Sequence, residues 1–472
     1  MDFKKELSLF DLTNIVVGSV IGADIYIASA ITAGLLGPFS LVIWIIAGIF
    51  ATVIALVFAY CSYYVPKVGG PFAYVSEAFD DFYGFLTGWS LWIAELISLP
   101  VFAIAFVRYL EYLLPLNTPE EILVKGIFLF GLTMVNILGV KMAGRVNDIL
   151  TLVKLLPLLL LIGGGIIFFI IQPSVFLGNY HPFVPLGISA TGTALVLVFW
   201  AYAGFELGTL PAAEVRDPRT TIPKAIIIGM FIVGLFYLST NCIVYGAVNW
   251  TALSTSSTPL ILVGGVILGT FGALIMTVGA LVSVSGSNET GMLGTGRLSF
   301  AMSVDGLFPR LFSSLHPKYG TPYVGLAVQG IIAFLLSLYS PITGLISFAV
   351  FNLAFAFLLT CLSLIILTRD TEKGLPGQKV FPWIGILICL YLLYSTSLFD
   401  KVVGGFIILA GIALYVFFSP KQDIHHLKSM FISEEAIFFR AMDRRERFLG
   451  NFMLILYRGY QRVKKRLEGG SR

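Results

Sequence analysis

Six charged side chains lie inside long apolar stretches of the sequence, where charged residues are rare. An ionisable residue in a membrane-spanning helix costs about 2.5–3.5 kcal/mol on insertion scales, so it usually has a function or a charged partner. Four of the six are acids and two are bases, which predicts an interior that suits a cationic substrate or proton transfer. The six are Asp24, Glu95, Arg108, Lys154, Glu206 and Glu289.

Lys154 stands within the apolar stretch 147–171, and two interpretations of it are open. A lysine in a site of low dielectric can take up and release a proton during a functional cycle. Lys154 also lies about seven residues, or ~10 Å, from the start of its stretch, so its side chain could instead extend to the membrane surface. Asp24 has a similar alternative, because it could form a simple ion pair with Lys154 or with Arg108.

Glycine clusters interrupt two of the apolar stretches, at 18–26 (GSVIGADIY) and at 200–206 (WAYAGFE). A helix broken inside a membrane leaves backbone N–H and C=O groups that lipid cannot satisfy, so they must line a cavity or bind a ligand. The alternative is close helix packing through small residues. Because each cluster contains an acid, we predict a substrate site built from Ile21, Gly22, Ala23 and Asp24 and from Trp200, Ala201, Tyr202 and Ala203.

The composition requires a membrane around these residues. Of the 472 residues, 57% are hydrophobic and 12% are charged, against roughly 25% charged in soluble domains. Runs of ~20 apolar residues are long enough to cross a bilayer as helices. The sequence predicts an all-α integral membrane protein with twelve spans, at 12–33, 40–60, 85–114, 121–140, 147–171, 190–213, 223–247, 266–292, 321–339, 342–367, 380–397 and 402–419.

The basic residues predict the orientation of these spans. If the spans alternate across the membrane, 26 of the 30 lysines and arginines fall on the side that carries both termini. Basic residues favour the cytoplasmic side, so both termini should be cytoplasmic. Residues 421–472 hold twelve basic and six acidic residues, which predicts a cytoplasmic tail with a basic amphipathic helix on the inner leaflet. A merely solvated tail is the alternative.

The sequence offers no grouping typical of an enzyme or of a metal site. The histidines lack the spacing of metal ligands, and no phosphate-binding loop or catalytic triad is visible. We therefore expect no enzymatic activity, no cofactor, no bound metal and no nucleic-acid partner. The cysteines lie far apart in or beside apolar stretches and should be buried small hydrophobic residues; they are Cys61, Cys242, Cys361 and Cys389.

Across 7–370 the sequence resembles the amino acid–polyamine–organocation (APC) family of permeases. The resemblance implies two inverted repeats of five helices, here 12–171 and 190–367, two further helices at 380–419, and alternating access to a central site. These elements would form a transporter core at 1–420. The motifs that carry the resemblance are GADIY at 22–26, PKVGGPFAY at 66–74 with GFLTGW at 84–89, YAGFE at 202–206 with EVRDPRTTIP at 214–223, and RLSFAMSVDGLFP at 297–309.

The resemblance also implies roles for single residues. Some proton-coupled members have a lysine at the place of Lys154, which would contact helices 1 and 8 at Gly18 and Ser285. An acid at the place of Glu206 is linked to gating or proton handling. The alternative is that Glu206 only satisfies the backbone N–H groups that the break in its helix frees. Asp24 departs from the usual glycine, and an aspartate there should repel a carboxylate and attract an ammonium. Glu289 departs from the usual asparagine.

We therefore expect proton-coupled uptake of amino acids or related amines across the cell membrane. The expected partners are the small-molecule substrate, protons and the lipid bilayer. Three alternatives remain open, namely an exchanger of related amines, a nutrient receptor with a permease fold, and a transporter of inorganic cations.

Overall fold

A computed structural model of the protein describes residues 7–210, 212–339, 341–369 and 375–418. Within these ranges the chain is helical and contains no β-strand, apart from one isolated bridge between Leu7 and Val215. The predicted tail at 421–472 lies outside the described residues. The α-helices in these ranges are α1 (Leu9–Val20), α2 (Ala23–Leu36), α3 (Ser40–Tyr64), α4 (Pro71–Ala78), α5 (Asp81–Leu110), α6 (Thr118–Leu138), α7 (Val140–Ile171), α8 (Pro173–Gly178), α9 (Thr191–Tyr202), α10 (Pro218–Ala247), α11 (Trp250–Ser254), α12 (Pro259–Val304), α13 (Tyr323–Tyr339), α14 (Ile342–Leu367), α15 (Phe381–Ser395) and α16 (Leu398–Phe418).

Many of these helices are long and apolar enough to cross a membrane. By length and composition nine stretches of the described chain qualify, and one of them, Leu9–Tyr64, contains α1, α2 and α3 together. The shorter apolar helices α13 and α15 add to these. Each predicted span overlaps at least one helix, so the all-α membrane architecture agrees with the prediction. The count of twelve spans and the inverted repeat stay predictions.

The boundaries of one span differ clearly from the prediction. The eighth span was expected at 266–292. In the structure α12 consists of two helical segments that meet at the non-helical Gly269, and the second segment continues to Val304. Gly269 has a positive φ of 64°, a backbone conformation that glycine adopts without steric cost. Small and polar residues continue this segment past the apolar stretch, so hydropathy alone does not mark where it ends.

The two glycine clusters produce the two predicted breaks. After α1, Ile21 has an extended backbone (φ −75°, ψ 99°), and α2 starts directly after Gly22. After α9, Ala203 is extended (φ −71°, ψ 160°), and Gly204 has a φ of +116° before a short 3₁₀ helix at Phe205–Thr209. Both breaks depend on residues that leave the helical region of backbone space.

The two breaks contact each other inside the helix bundle. The hydroxyl of Ser19, near the end of α1, donates a hydrogen bond of 2.8 Å to the carbonyl of Gly204. A Cβ atom on Gly204 would lie 3.0 Å from the backbone of Ser19, so the close approach requires glycine. Around this contact α1 packs on α7, α10 and α12, and α5 packs on α12 and α14. The interrupted backbone is therefore enclosed by protein.

Candidate substrate and proton site

The carboxylate of Asp24 occupies the break between α1 and α2. Its Oδ1 accepts a hydrogen bond of 2.7 Å from the backbone N–H of Gly22, and its Oδ2 accepts one from the hydroxyl of Tyr237. Only 4% of Asp24 is exposed. The first N–H groups of a helix attract anions. Asp24 thus fills the anion position at the start of its own helix.

Lys154 is fully buried and joins α7 to α1 and α12. Its Nζ donates a hydrogen bond of 2.5 Å to the carbonyl of Gly18 and one of 3.4 Å to the hydroxyl of Ser287. The side chain does not extend to the membrane surface, so the structure disfavours that alternative. Carbonyl groups at the end of α1 carry partial negative charge, which suits an ammonium at this position.

The structure brings Ser287, rather than the predicted Ser285, to Lys154. The hydroxyl of Ser285 donates to the carbonyl of Leu281 at 2.7 Å. The hydroxyl of Ser287 lies 3.0 Å from the carbonyls of both Gly18 and Ile21. Side chains two residues apart on an α-helix point in directions that differ by about 200° around its axis. Ser285 and Ser287 therefore face different neighbours.

Within the described ranges, no ion pair shorter than 4 Å joins Asp24 to Lys154; those that are present join Lys67 to Glu77, Lys125 to Glu121, and Arg297 to Glu214. Glu289, on α12, is fully buried.

Arg108 belongs to a different part of the molecule. It lines a cavity of about 510 Å³ together with Glu111, Glu121 and Lys125. The alternative in which Arg108 neutralises Asp24 therefore finds no support in the structure.

Glu206 repeats at the second break what Asp24 does at the first. Its Oε2 accepts a hydrogen bond of 2.9 Å from the backbone N–H of Gly204, two residues before it. The side chain is fully buried. The carboxyl group of Glu95, from α5, is its neighbour. Two carboxylates side by side repel each other when both are ionised.

A cavity of about 30 Å³ lies between the breaks and α5. Its wall contains the two acids Asp24 and Glu95 and no lysine or arginine. A space of this size holds about one water molecule, so it is too small for an amino acid or an amine. The lining residues are Ser19, Val20, Asp24, Glu95, Ser98, Phe102, Trp200, Ala203, Gly204, Leu207, Ser287, Gly291 and Leu353.

The predicted aromatic residues take different positions. Trp200 lines the cavity; its Nε1 donates a hydrogen bond of 3.0 Å to Ser98, and its ring lies 5.8 Å from that of Phe102. Tyr202 points away from the cavity and donates to the carbonyl of Trp44 at 3.1 Å.

Of the remaining predicted site residues, Ile21, Gly22, Ala23 and Ala201 are buried at the breaks and do not line the cavity. Ala203 is half-buried and lines the cavity.

Three contributors to the site were missed by sequence reasoning. Tyr237 holds Asp24 from α10, Ser287 contacts Lys154, and Ser98 holds Trp200. Each is a neutral hydroxyl among many, so neither charge nor spacing marks it. The cysteines behave as expected, because three are buried and all four are free thiols.

Comparisons with known proteins place the chain in a family of membrane transporters. Residues 7–433 match the family model described as amino acid permease. The branched-chain amino acid permease BcaP of Bacillus subtilis is 28% identical over 442 residues, which cover 89% of this chain and 94% of the relative.

Two further relatives have similar coverage. The mouse large neutral amino acids transporter small subunit 2 is 31% identical over 87% of this chain and 80% of its own length. The Bacillus subtilis serine/threonine exchanger SteT is 26% identical over 89% and 97%. These relatives are transporters rather than enzymes. With its membrane-spanning helices and the family match over nearly its whole length, this chain is a multi-pass membrane protein of the amino acid permease family, within the APC family.

Proposed function

We propose that the protein is a proton-coupled secondary transporter that takes up amino acids or related amines by alternating access. The observation that carries this proposal is the position of Lys154, which is buried between α7, α1 and α12 and hydrogen-bonded to Gly18 and Ser287. The proposal includes a central site at the two breaks, and both termini on the cytoplasmic side.

The ammonium of Lys154 can couple protonation to movement of α1. A hydrogen bond from a charged donor is roughly twice as strong as one between neutral groups. While Lys154 is protonated, it holds the carbonyl end of α1 against α7, its own helix, and against α12. Loss of the proton weakens that hold and frees α1 to move. An inward proton gradient can therefore drive the change between outward and inward access.

Reconstituted protein tests the coupling. In proteoliposomes, we expect an inward proton gradient to drive accumulation of a radiolabelled substrate, with no requirement for sodium. Lys154→Ala should abolish the driven accumulation while the protein stays folded. Lys401→Ala is a matched control, because Lys401 is hydrogen-bonded to the carbonyl of Tyr394 and away from the breaks. A requirement for sodium, or full accumulation in Lys154→Ala, would contradict the proposal.

Exchange of related substrates is the second candidate. Its support is the similarity to SteT, which is named as a serine/threonine exchanger. Uptake that depends on substrate loaded inside the vesicles, and not on the proton gradient, would favour exchange. The receptor and inorganic-cation alternatives find no such support among these relatives.

A further inference from the structure

The same arrangement of glycine and acid occurs at both breaks. At the first break, the N–H of Gly22 donates to the carboxylate of Asp24 at 2.7 Å. At the second, the N–H of Gly204 donates to Glu206 at 2.9 Å. In both, the acid stands two residues after the glycine and is buried. The chain thus supplies its own anion to the backbone donor of each break.

Asp24 is held firmly in this position. The hydroxyl of Tyr237 donates to the second oxygen of Asp24 and lies 2.8 Å from the carbonyl of Val20. The ring of Tyr237 is packed edge-on against Trp44 and Tyr202, with centroids 5.4 and 5.1 Å away. A carboxylate from solution would have to displace a carboxylate that is attached to the chain and hydrogen-bonded on both oxygens.

The charges of the cavity wall point to the same class of ligand. Asp24 and Glu95 line the wall, and no basic residue lines it. The ammonium of Lys154 is directed to Gly18 and Ser287. The ring of Trp200 also lines the cavity, and an aromatic face attracts a cation. An ammonium therefore finds acceptors here, whereas a carboxylate meets two acids.

We propose that the substrate is an organic amine that lacks a carboxylate group, and that Asp24 takes the place of the substrate carboxylate at the first break. This inference rests on the proposed function, because it assumes that the cavity between the breaks receives the transported molecule. The substrate ammonium would lie between Asp24 and Glu95, with its carbon chain against Trp200 and Phe102. The cavity must widen to admit it.

Matched pairs of ligands test the inference. Purified wild-type protein would be titrated with leucine and its decarboxylated amine isoamylamine, and with arginine and its decarboxylated amine agmatine. Binding is measured as a thermal shift, because a ligand that binds only the folded state stabilises it. In at least one pair we expect the amine to raise the melting temperature and the parent amino acid to bind at least tenfold more weakly.

Variants at Asp24 test whether the ligand preference depends on Asp24 itself or on the acids of the cavity wall in general. Asp24→Gly frees the N–H of Gly22, so the preference of this variant should shift at least tenfold toward the amino acid of the same pair. Asp24→Asn retains the volume but removes the charge, so it should lose amine binding without gaining the amino acid. Asp24→Asn also tests the inference if size-exclusion chromatography shows that Asp24→Gly does not fold.

The possible outcomes decide between the two proposals. Preference of the wild type for an amino acid over its amine, unchanged in the variants, would overturn this inference. So would binding of neither member of either pair. These titrations use detergent-purified protein without a gradient, so they do not test coupling. Amine binding together with uptake that ignores the proton gradient would leave this inference standing and overturn the proposed coupling.

Discussion

Among single residues, Glu95 and Glu206 bring two carboxyl groups together, and Glu206 also accepts a hydrogen bond from Gly204. Two neighbouring carboxylates cannot both be ionised without strong repulsion. We therefore expect the pair to keep α5 against the second break only while one of the two carboxyl groups is protonated.

Glu95→Gln tests this contact. A glutamine amide donates to Glu206 at every pH, so the link between α5 and the second break becomes permanent. We predict that uptake by Glu95→Gln loses at least half of the wild-type change between pH 5 and pH 8. Glu111→Gln is the matched control, because Glu111 lines the other cavity. A wild-type pH profile in Glu95→Gln would contradict a role for protonation of this pair.

Sequence reasoning identified the charged members of the site but not their neutral partners. Asp24, Lys154, Glu206 and Glu95 were predicted because charges in apolar stretches are costly, and the structure places all four at or near the breaks. Tyr237 was not predicted, since it comes from a helix more than 200 positions away. Which hydroxyl meets which charge depends on helix rotation, and hydropathy does not encode that.

At the scale of elements, Gly22 fixes how closely α1, α2 and α12 approach. A Cβ on Gly22 would lie 2.6 Å from Oγ of Ser287 and 3.0 Å from Oδ1 of Asp24. Such distances are shorter than a normal contact, so Ser287 and Asp24 would have to shift. The break and the contacts of Lys154 therefore both require that residue 22 has no side chain.

Gly22→Ala should damage both stability and uptake. Overpacking a well-packed interior typically costs about 1–3 kcal/mol, so we predict a lower melting temperature and at least a tenfold loss of uptake. Gly163→Ala in α7 is the control, since its Cβ would meet nothing within 4 Å. The variants would be compared by thermal melting in detergent and by uptake in proteoliposomes. Equal behaviour of the two variants would show that the close approach at Gly22 is unimportant.

The two breaks could be predicted as elements because glycine clusters are visible in sequence. The acids inside them were visible too. A hydrogen bond from a freed backbone N–H group to Glu206 was one of the two alternatives, and the structure has it. The hydrogen bond from Gly22 to Asp24 was not predicted, because it depends on the exact backbone angles of the first break. The end of α12 at Val304 was missed because small and polar residues continue the helix beyond the apolar stretch, so the fall in hydropathy does not coincide with the end of the helix.

Across the whole molecule, one end of the bundle is closed by contacts between distant segments. The N–H of Leu7 donates to the carbonyl of Glu214, and the N–H of Arg216 donates to the carbonyl of Leu7. The side chain of Glu214 forms an ion pair of 3.2 Å with Arg297 of α12. These contacts connect the start of α1, the segment after the second break, and α12. The distribution of basic residues predicts that this end faces the cytoplasm.

Arg297→Gln should loosen this closure. A partly exposed ion pair contributes up to about 1 kcal/mol, or about fivefold in an equilibrium. We therefore predict up to about fivefold faster labelling of a cysteine introduced at Leu207, which lines the cavity, by a maleimide added from the cytoplasmic side. Lys67→Gln is the control, because its ion pair with Glu77 is largely exposed. Unchanged labelling in Arg297→Gln would show that the pair does not hold this end closed.

At this scale composition and motifs predicted the membrane class and the family, both of which are confirmed. The isolated β-bridge between Leu7 and Val215 was not predicted, because a single bridge between segments about two hundred residues apart leaves no periodic pattern in the sequence. The predicted role of the tail at 421–472 and the predicted boundaries of the two repeats stay predictions.

The hydrogen bond between Gly22 and Asp24 has a consequence for inhibitors. The Asp24 carboxylate is attached to the chain two residues from Gly22, so it competes with any free carboxylate for the Gly22 N–H as a tethered ligand. Its effective concentration is set by the geometry of the chain and does not depend on the solution. Raising the concentration of a free carboxylate is therefore an inefficient way to occupy this position. A useful inhibitor would leave Asp24 where it is and gain its affinity from an ammonium and from surface complementary to Trp200 and Phe102.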